Sequence, residues 1–144
     1  MEILTKGNII TGLAPEQHED IIRRCGTMLV DSGYVNEPYI EGMIARDRSF
    51  STAIGNLIAI PHGEIAYKQE ILHTGLVVLT YPDGVQWGDQ IVKLVIGIAA
   101  KGNEHLQILE QIAEAFEEES DVEAVVKNAD TEALYHLLVP GEKS

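Results

Sequence analysis

The 144-residue chain has a single cysteine, Cys25. It can form no disulfide within itself, and a multi-cysteine zinc site is excluded. Basic residues are scarce: ten Lys and Arg stand against 23 Asp and Glu, for a net charge of −13. That sign is wrong for nucleic acid and for anionic lipid, which both demand Lys and Arg in excess. It suits a macromolecular partner that presents a positive patch. Long hydrophobic runs are also missing. The longest, 75–80 and 94–100, fall far short of the roughly 20 residues of a membrane helix. Residues 1–6 hold no basic region followed by a long apolar core, so no signal peptide is read and the cytoplasm is the expected location. Repeats, low-complexity stretches and Pro/Gly/Ser linkers are absent, and only 140–144 reads as a loose polar tail.

What is present is enough apolar sequence, 45% of residues, to build one core in a chain of one-domain length. A single domain over 1–144 is expected. Residues 15–32 predict a helix, with Ile21, Ile22, Cys25, Met28 and Leu29 on one face and Gly33 as its stop. A second helix is predicted from Asn36 as N-cap to Arg46–Arg48, with Tyr39, Ile40, Met43 and Ile44 apolar. Three Val/Ile-rich segments, 57–60, 76–80 and 94–99, read as strands. The unbroken apolar character of the last two predicts burial on both sheet faces. Tyr81-Pro82-Asp83-Gly84 reads as a turn, with a short strand at 85–87 after it. A long helix is predicted over 104–118, capped by Asn103, with Leu106, Leu109, Ile112, Ala113 and Phe116 buried. Ser120 with Glu123 has capping-box spacing for a short helix, and Asp130 caps the last one. Residues 8–10 are a candidate edge strand. The sum is an α/β domain of about five strands with helices on both faces.

Five histidines are the main reactive groups. His18 and His136 fit plain surface or boundary positions. His73 precedes a buried strand. His62 is different, because the strand ends at Pro61 and delivers His62 followed by Gly63. Proline fixes its own φ and biases Ile60 to extended backbone, so the direction in which His62 leaves the sheet is set. Gly63 allows close approach of another group. Ligand chemistry in open α/β sheets collects at strand ends. His105 stands in the first turn of the longest helix, where free N–H groups and the helix dipole favour an anion. Arg46 and Arg48 close the second helix, where arginines ordinarily serve the dipole.

The run Arg46-Asp47-Arg48-Ser49-Phe50-Ser51-Thr52-Ala53-Ile54-Gly55-Asn56-Leu57-Ile58-Ala59-Ile60-Pro61-His62-Gly63 resembles the signature of the mannitol/fructose-class IIA domain of the bacterial phosphoenolpyruvate-dependent sugar phosphotransferase system. Gly33-Tyr34-Val35, the Tyr81–Val85 run, the 94–100 strand and Asn103-Glu104-His105-Leu106-Gln107 match as well, so the resemblance covers nearly the whole chain. It implies a mixed sheet of about five strands. It implies that His62 is the phosphorylated histidine, taking the phosphoryl group from the phosphocarrier HPr and passing it to a cysteine of the cognate IIB domain. It places Arg46 and His105 in the active site and calls for no cofactor or metal. Gly84-Val85-Gln86-Trp87-Gly88 looks like the mannitol subgroup, whereas fructose and nitrogen-regulatory members usually carry a Pro-Val-Asp-like segment where Val92-Lys93-Leu94 stands here. Glu64 departs from the commoner Thr or Lys and puts a negative charge beside a phosphate-handling site.

Two other readings stay open. A regulatory IIA protein would use the same histidine for signalling. A His-only metal hydrolase would be built on His62, His73 and His105, although no His-Glu-x-x-His motif is present.

Overall fold

A computed structural model describes residues 1–139, and the expected tail at 140–144 lies outside the described residues. Five strands form one mixed sheet: β1 (Ile9–Ile10), β2 (Ala53–Gly55), β3 (Ile58–Ala59), β4 (Gly75–Trp87) and β5 (Gln90–Ala99). Their spatial order is β1-β4-β5-β3-β2. β4 and β5 pair antiparallel, β1 runs parallel to β4, and β3 runs parallel to β5. The helices are α1 (His18–Asp31), α2 (Tyr39–Ser49), α3 (Glu104–Ala115), α4 (Glu119–Asn128) and α5 (Thr131–Leu138).

The α/β class, the strand number and the helices on both faces agree with the sequence reading. Alternation in the central strands divides the core. Val77, Leu79 and Val95 join Ile21, Ile22, Cys25, Leu29 and Met43 of α1 and α2. Leu76, Val78, Leu94, Ile96 and Ile98 join Ile112, Phe116, Val122, Val126, Leu134 and Leu138 on the other side. Strands buried on both faces have no polar side to show, which is why they read as continuous apolar runs.

Several local expectations are corrected. Tyr81-Pro82-Asp83-Gly84 is no hairpin turn. β4 runs through it, and Thr80 pairs Leu94 while Val85 pairs Val92, so residues 81–84 bulge opposite Lys93 alone. Pro82 has no N–H for a ladder and Gly84 takes φ +80°, so a bulge accommodates both. The true turn is Gly88-Asp89, closed by the Trp87–Gln90 pair, with Gly88 at φ +63°. A two-residue hairpin loop needs a positive φ at that place. The single strand expected at 57–60 is instead one arm of a hairpin, β2–β3. Its loop residues Asn56 and Leu57 both take positive φ, 53° and 68°. The long helix stops at Ala115, and Phe116 turns into the core. Asn103 makes no side-chain cap there. The capping box of α4 is Glu118 with Asp121, and Ser120 lies inside the helix. Asp130 does cap α5, accepting from the Ala133 N–H at 3.0 Å.

Candidate functional site

The site forms where β3 and β5 end side by side. Past β3 the chain continues as Ile60-Pro61-His62, and His62 keeps a parallel bridge to Ile98 of β5. The Ile98 N–H donates to the Pro61 carbonyl at 2.9 Å. β5 then leads through residues 100–103 into α3, which carries His105 in its first turn. α2 supplies Arg46 from its last turn. The three residues line one cleft of about 500 Å³, together with Tyr39, Gly63, Glu64 and Lys68.

The imidazoles of His62 and His105 meet edge to face, with ring centroids 5.0 Å apart. His62 Nδ1 lies 2.7 Å from the Ile60 carbonyl oxygen. A carbonyl only accepts, so Nδ1 of the neutral ring carries the proton and Nε2 keeps a free lone pair. Burial pushes the His62 pKa below the ordinary imidazole value. The Ile60 carbonyl opposes this, while His105 and Arg46 reinforce it. His105 is lowered too, by burial first and then by Arg46. Both rings therefore stay neutral at neutral pH beside a fixed cation. Arg46 is steadied by donating to the Phe50 carbonyl, and its guanidinium carbon sits 5.5 Å from the Phe50 ring centre. Arg48 is committed elsewhere, in a two-pronged pair with Glu19 at 2.7 and 2.9 Å.

Three residues of this region escaped the sequence reading. Tyr39 and Lys68 line the cleft. Asp47, the residue after Arg46, is 7% exposed. Its Oδ1 accepts from the Thr52 N–H at 2.9 Å, the Thr52 hydroxyl at 2.6 Å and Trp87 Nε1 at 3.0 Å. His18 Nε2 stands 3.2 Å from Oδ2, and its ring lies 5.2 Å from Trp87. Burial alone would raise the Asp47 carboxyl, but the hydrogen bonds from Thr52 and Trp87 hold it below the ordinary aspartate value. The signal was available in the sequence: Tyr39, Met43 and Asp47 are spaced i, i+4 and i+8, so a carboxylate falls on the buried stripe of its helix. His18 is a boundary residue, a third exposed, whose ring lies against the buried Asp47 and Trp87. His136 is exposed beside Glu132, as expected of it. His73 is exposed and does not line the cleft. Among the described residues no group of three His, Cys, Asp or Glu is placed to hold a metal ion. None of the described helices is long and apolar enough to cross a membrane.

A half-buried, tautomer-fixed imidazole with a free Nε2, a second neutral imidazole and an arginine around one open cleft are groups with the chemistry to accept and hold an anion such as a phosphoryl group. The chain belongs to the family described as "Phosphoenolpyruvate-dependent sugar phosphotransferase system, EIIA 2", whose model matches residues 2–139. It is 45% identical over 139 residues to the mannitol-specific phosphotransferase enzyme IIA component of Geobacillus stearothermophilus, covering 96% of both chains. The crystal structure of IIA mannitol from Escherichia coli superposes with a TM-score of 0.83 at 36% identity, over 92% of this chain and 97% of that one. The solution structure of the Escherichia coli complex of enzyme IIAMtl with phosphorylated enzyme IIBMtl gives 0.84 at 35% identity, over 92% and 95%.

Proposed function

We propose that this chain, acting as one domain, is the IIA phosphocarrier of a mannitol-type sugar uptake system. It accepts a phosphoryl group from phospho-HPr on Nε2 of His62 and hands it to a cysteine of a cognate IIB. The observation that carries the reading is the 2.7 Å contact between His62 Nδ1 and the Ile60 carbonyl, which leaves Nε2 as the nucleophile.

Each transfer exchanges one bond to phosphorus for another. The Nε2 lone pair attacks phosphorus in line as the bond to the HPr nitrogen breaks, and the pair from that bond stays on HPr. The Nδ1 proton is held by the Ile60 carbonyl throughout. In the second step a IIB thiolate attacks the same phosphorus and the electron pair returns to Nε2. The phosphoryl oxygens carry the charge of the loose transition state, so catalysis rests on position and on donors. Arg46 offers a permanently charged fork to those oxygens. His105, with the free N–H groups at the start of α3, adds hydrogen bonds.

Docking has material close by. Phe50, Ile54, Ile65 and Leu106 are large apolar side chains left 53–81% exposed, each within eight residues of Arg46, His62 or His105 in sequence. The acidic remainder of the surface steers a basic partner, and its effect falls as salt rises. The mannitol-specific names of relatives at 39–45% identity support uptake over the regulatory reading.

The test is incubation with phosphoenolpyruvate, enzyme I and HPr, then intact mass and peptide mapping. One acid-labile phosphoryl group on the peptide holding His62 is expected. Addition of the mannitol IIB should remove it, and drainage only by some other acceptor would count for the signalling role.

A further inference from the structure

In a regular parallel bridge between His62 and Ile98, two rungs flank the histidine. The Ile98 N–H reaches the carbonyl before it, and the N–H after it reaches the Ile98 carbonyl. The first rung is present, from Ile98 to Pro61 at 2.9 Å. The second runs through a side chain. The Gly63 N–H donates to the Tyr39 hydroxyl at 2.8 Å, and that hydroxyl donates to the Ile98 carbonyl at 3.0 Å. Tyr39 is 2% exposed and comes from the first turn of α2, the helix that ends in Arg46. Its ring fills the space a side chain at 63 would take: a Cβ on Gly63 would fall 2.5 Å from the ring.

We infer that the Tyr39 hydroxyl is a positioning group for phosphoryl transfer, a one-atom spacer set into the β3–β5 ladder. It holds the chain after His62 off β5 and so fixes where Nε2 stands in the cleft. The inference rests on the functional reading above and adds a residue to it. The hydroxyl bonds both the chain leaving His62 and the strand that leads to His105, so it couples the two imidazoles through the backbone. Without it, the Gly63 N–H and the Ile98 carbonyl lose their bridge, and buried backbone groups do not stay unpaired. They must close directly on each other. The peptide beyond His62 then moves towards β5, and the geometry that keeps Nδ1 on the Ile60 carbonyl is lost.

Tyr39→Phe tests this, because it removes one oxygen and keeps the ring. Ring-nitrogen NMR of histidine-labelled protein reads the tautomer of His62 without any phosphoryl donor. The unmodified protein should show the Nδ1–H form, and Tyr39→Phe should show a mixture of Nδ1–H and Nε2–H forms. Transfer from phospho-HPr should slow at least tenfold, with HPr affinity within twofold. Tyr81→Phe is the control. It removes another hydroxyl from a fully buried tyrosine, one that donates to Glu16 away from the cleft. It should leave tautomer and rate unchanged even where it lowers the melting temperature. If Tyr39→Phe fails to fold, Gly63→Ala displaces the same ring and should give the same mixed tautomer.

An unaltered tautomer and rate in a folded Tyr39→Phe would overturn the inference, as would equal losses of rate and affinity. Failure of the unmodified protein to accept phosphoryl would overturn the functional reading instead, since the tautomer measurement does not depend on it.

Discussion

The two faces of the sheet are finished to different degrees. On one, α1 puts Ile21, Ile22, Cys25, Gly26 and Leu29 fully into the core, and α2 adds Tyr39, Met43, Ile44 and Asp47. On the other, α3 buries Ile112 alone along its helical length, while Leu106 is 60% exposed and Ala113 faces solvent. Along α3 Ile108 and Leu109 are only partly buried against the core and Gln111 donates to the Leu137 carbonyl, and a fully buried anchor comes at its far end. Phe116 is buried there, and the Asn56 side chain donates to the Phe116 and Glu117 carbonyls. Arg46 therefore rides on the tightly packed face and His105 on the loosely packed one, with His62 between them. A site that must fit two partners in turn gains from one fixed wall and one adjustable wall. Elements with few buried apolar contacts are the ones that open and shift at low cost.

The largest expected effect lies on the strand between the faces. His62→Ala should abolish phosphoryl acceptance and leave the fold intact, because the side chain lies beyond β3 and points into the cleft. Intact mass after incubation with phospho-HPr checks it, and a retained acid-labile phosphoryl would remove His62 from the mechanism.

Arg46→Gln and His105→Ala come next, one from each wall. Loss of a donor to a transition-state oxyanion costs about 2.7–4 kcal/mol, roughly a hundredfold to thousandfold in rate. HPr affinity should change only a few-fold. Arg48→Gln should do nothing to the rate, since Arg48 is turned onto Glu19. Stopped-flow rates and titration with unphosphorylated HPr separate the two quantities. If the fixed-wall idea holds, Arg46→Gln slows the HPr and IIB steps alike, whereas His105→Ala affects the two unequally.

Asp47→Ala tests the packed wall directly. It leaves the indole N–H of Trp87 and the N–H of Thr52 without an acceptor, at a cost of about 3 kcal/mol. Chemical denaturation followed by the fluorescence of Trp87, the sole tryptophan, measures it. The pH dependence has a definite sign. The Asp47 carboxyl titrates lower in the folded protein than in the unfolded chain. Its stabilisation is therefore complete above about pH 4 and is lost as pH falls through the folded value. Asp47→Asn should flatten that acid limb.

How far the sequence could be read divides along the same line. The packed face was legible because Ile21, Ile22, Cys25, Met28 and Leu29 repeat with helical spacing, and burial followed. The exposed one was misread because the same rule put Leu106 and Ala113 in the core, where the chain leaves them free to meet a partner. Periodicity reports apolar faces and cannot tell a core from a docking surface. At the site, His62, Arg46 and His105 were picked out as candidates through the Pro-His-Gly exit and the family signature, and the fold brings all three to one cleft. Tyr39 and Asp47 were missed because their roles are made by tertiary contacts. One bridges residues 63 and 98, and the other meets Thr52, Trp87 and His18. The turn expected at 81–84 failed for a local reason, since Pro and Gly serve a bulge as well as they serve a hairpin.

A smaller effect belongs to pH and rate. Burial holds the folded pKa of His62 below the ordinary value of about 6.5, and His105 adds to this. The proposed nucleophile thus loses its Nε2 proton below pH 6.5, and the acid limb of the transfer rate should lie under that value. Because His105 helps depress His62, His105→Ala should move the limb upwards along with its rate defect. Arg46→Gln should move it in the same direction, since the guanidinium also disfavours a proton on His62.

The smallest expected effect is on Cys25, and it is the most direct reading of the difference between the faces. The thiol is fully buried in α1 against β5, and burial pushes its pKa up to about 12. The thiolate is the reactive form, so at neutral pH almost none is present and no reagent can reach it. Native protein should resist thiol labelling for as long as it stays folded, and Cys25→Ala should transfer phosphoryl at the unmodified rate. A cysteine placed at Leu106 on the opposite face, by Leu106→Cys in the Cys25→Ala background, should label as fast as a free thiol while the melting temperature hardly changes. Bound HPr should then slow that labelling, because the exposed turn of α3 would be covered. Labelling of Cys25 in the native protein would show that the α1 face opens as readily as the α3 face, and the contrast between a fixed and an adjustable wall would fail. Fast labelling at 106 that HPr leaves unaffected would instead keep the contrast and remove Leu106 from the docking surface.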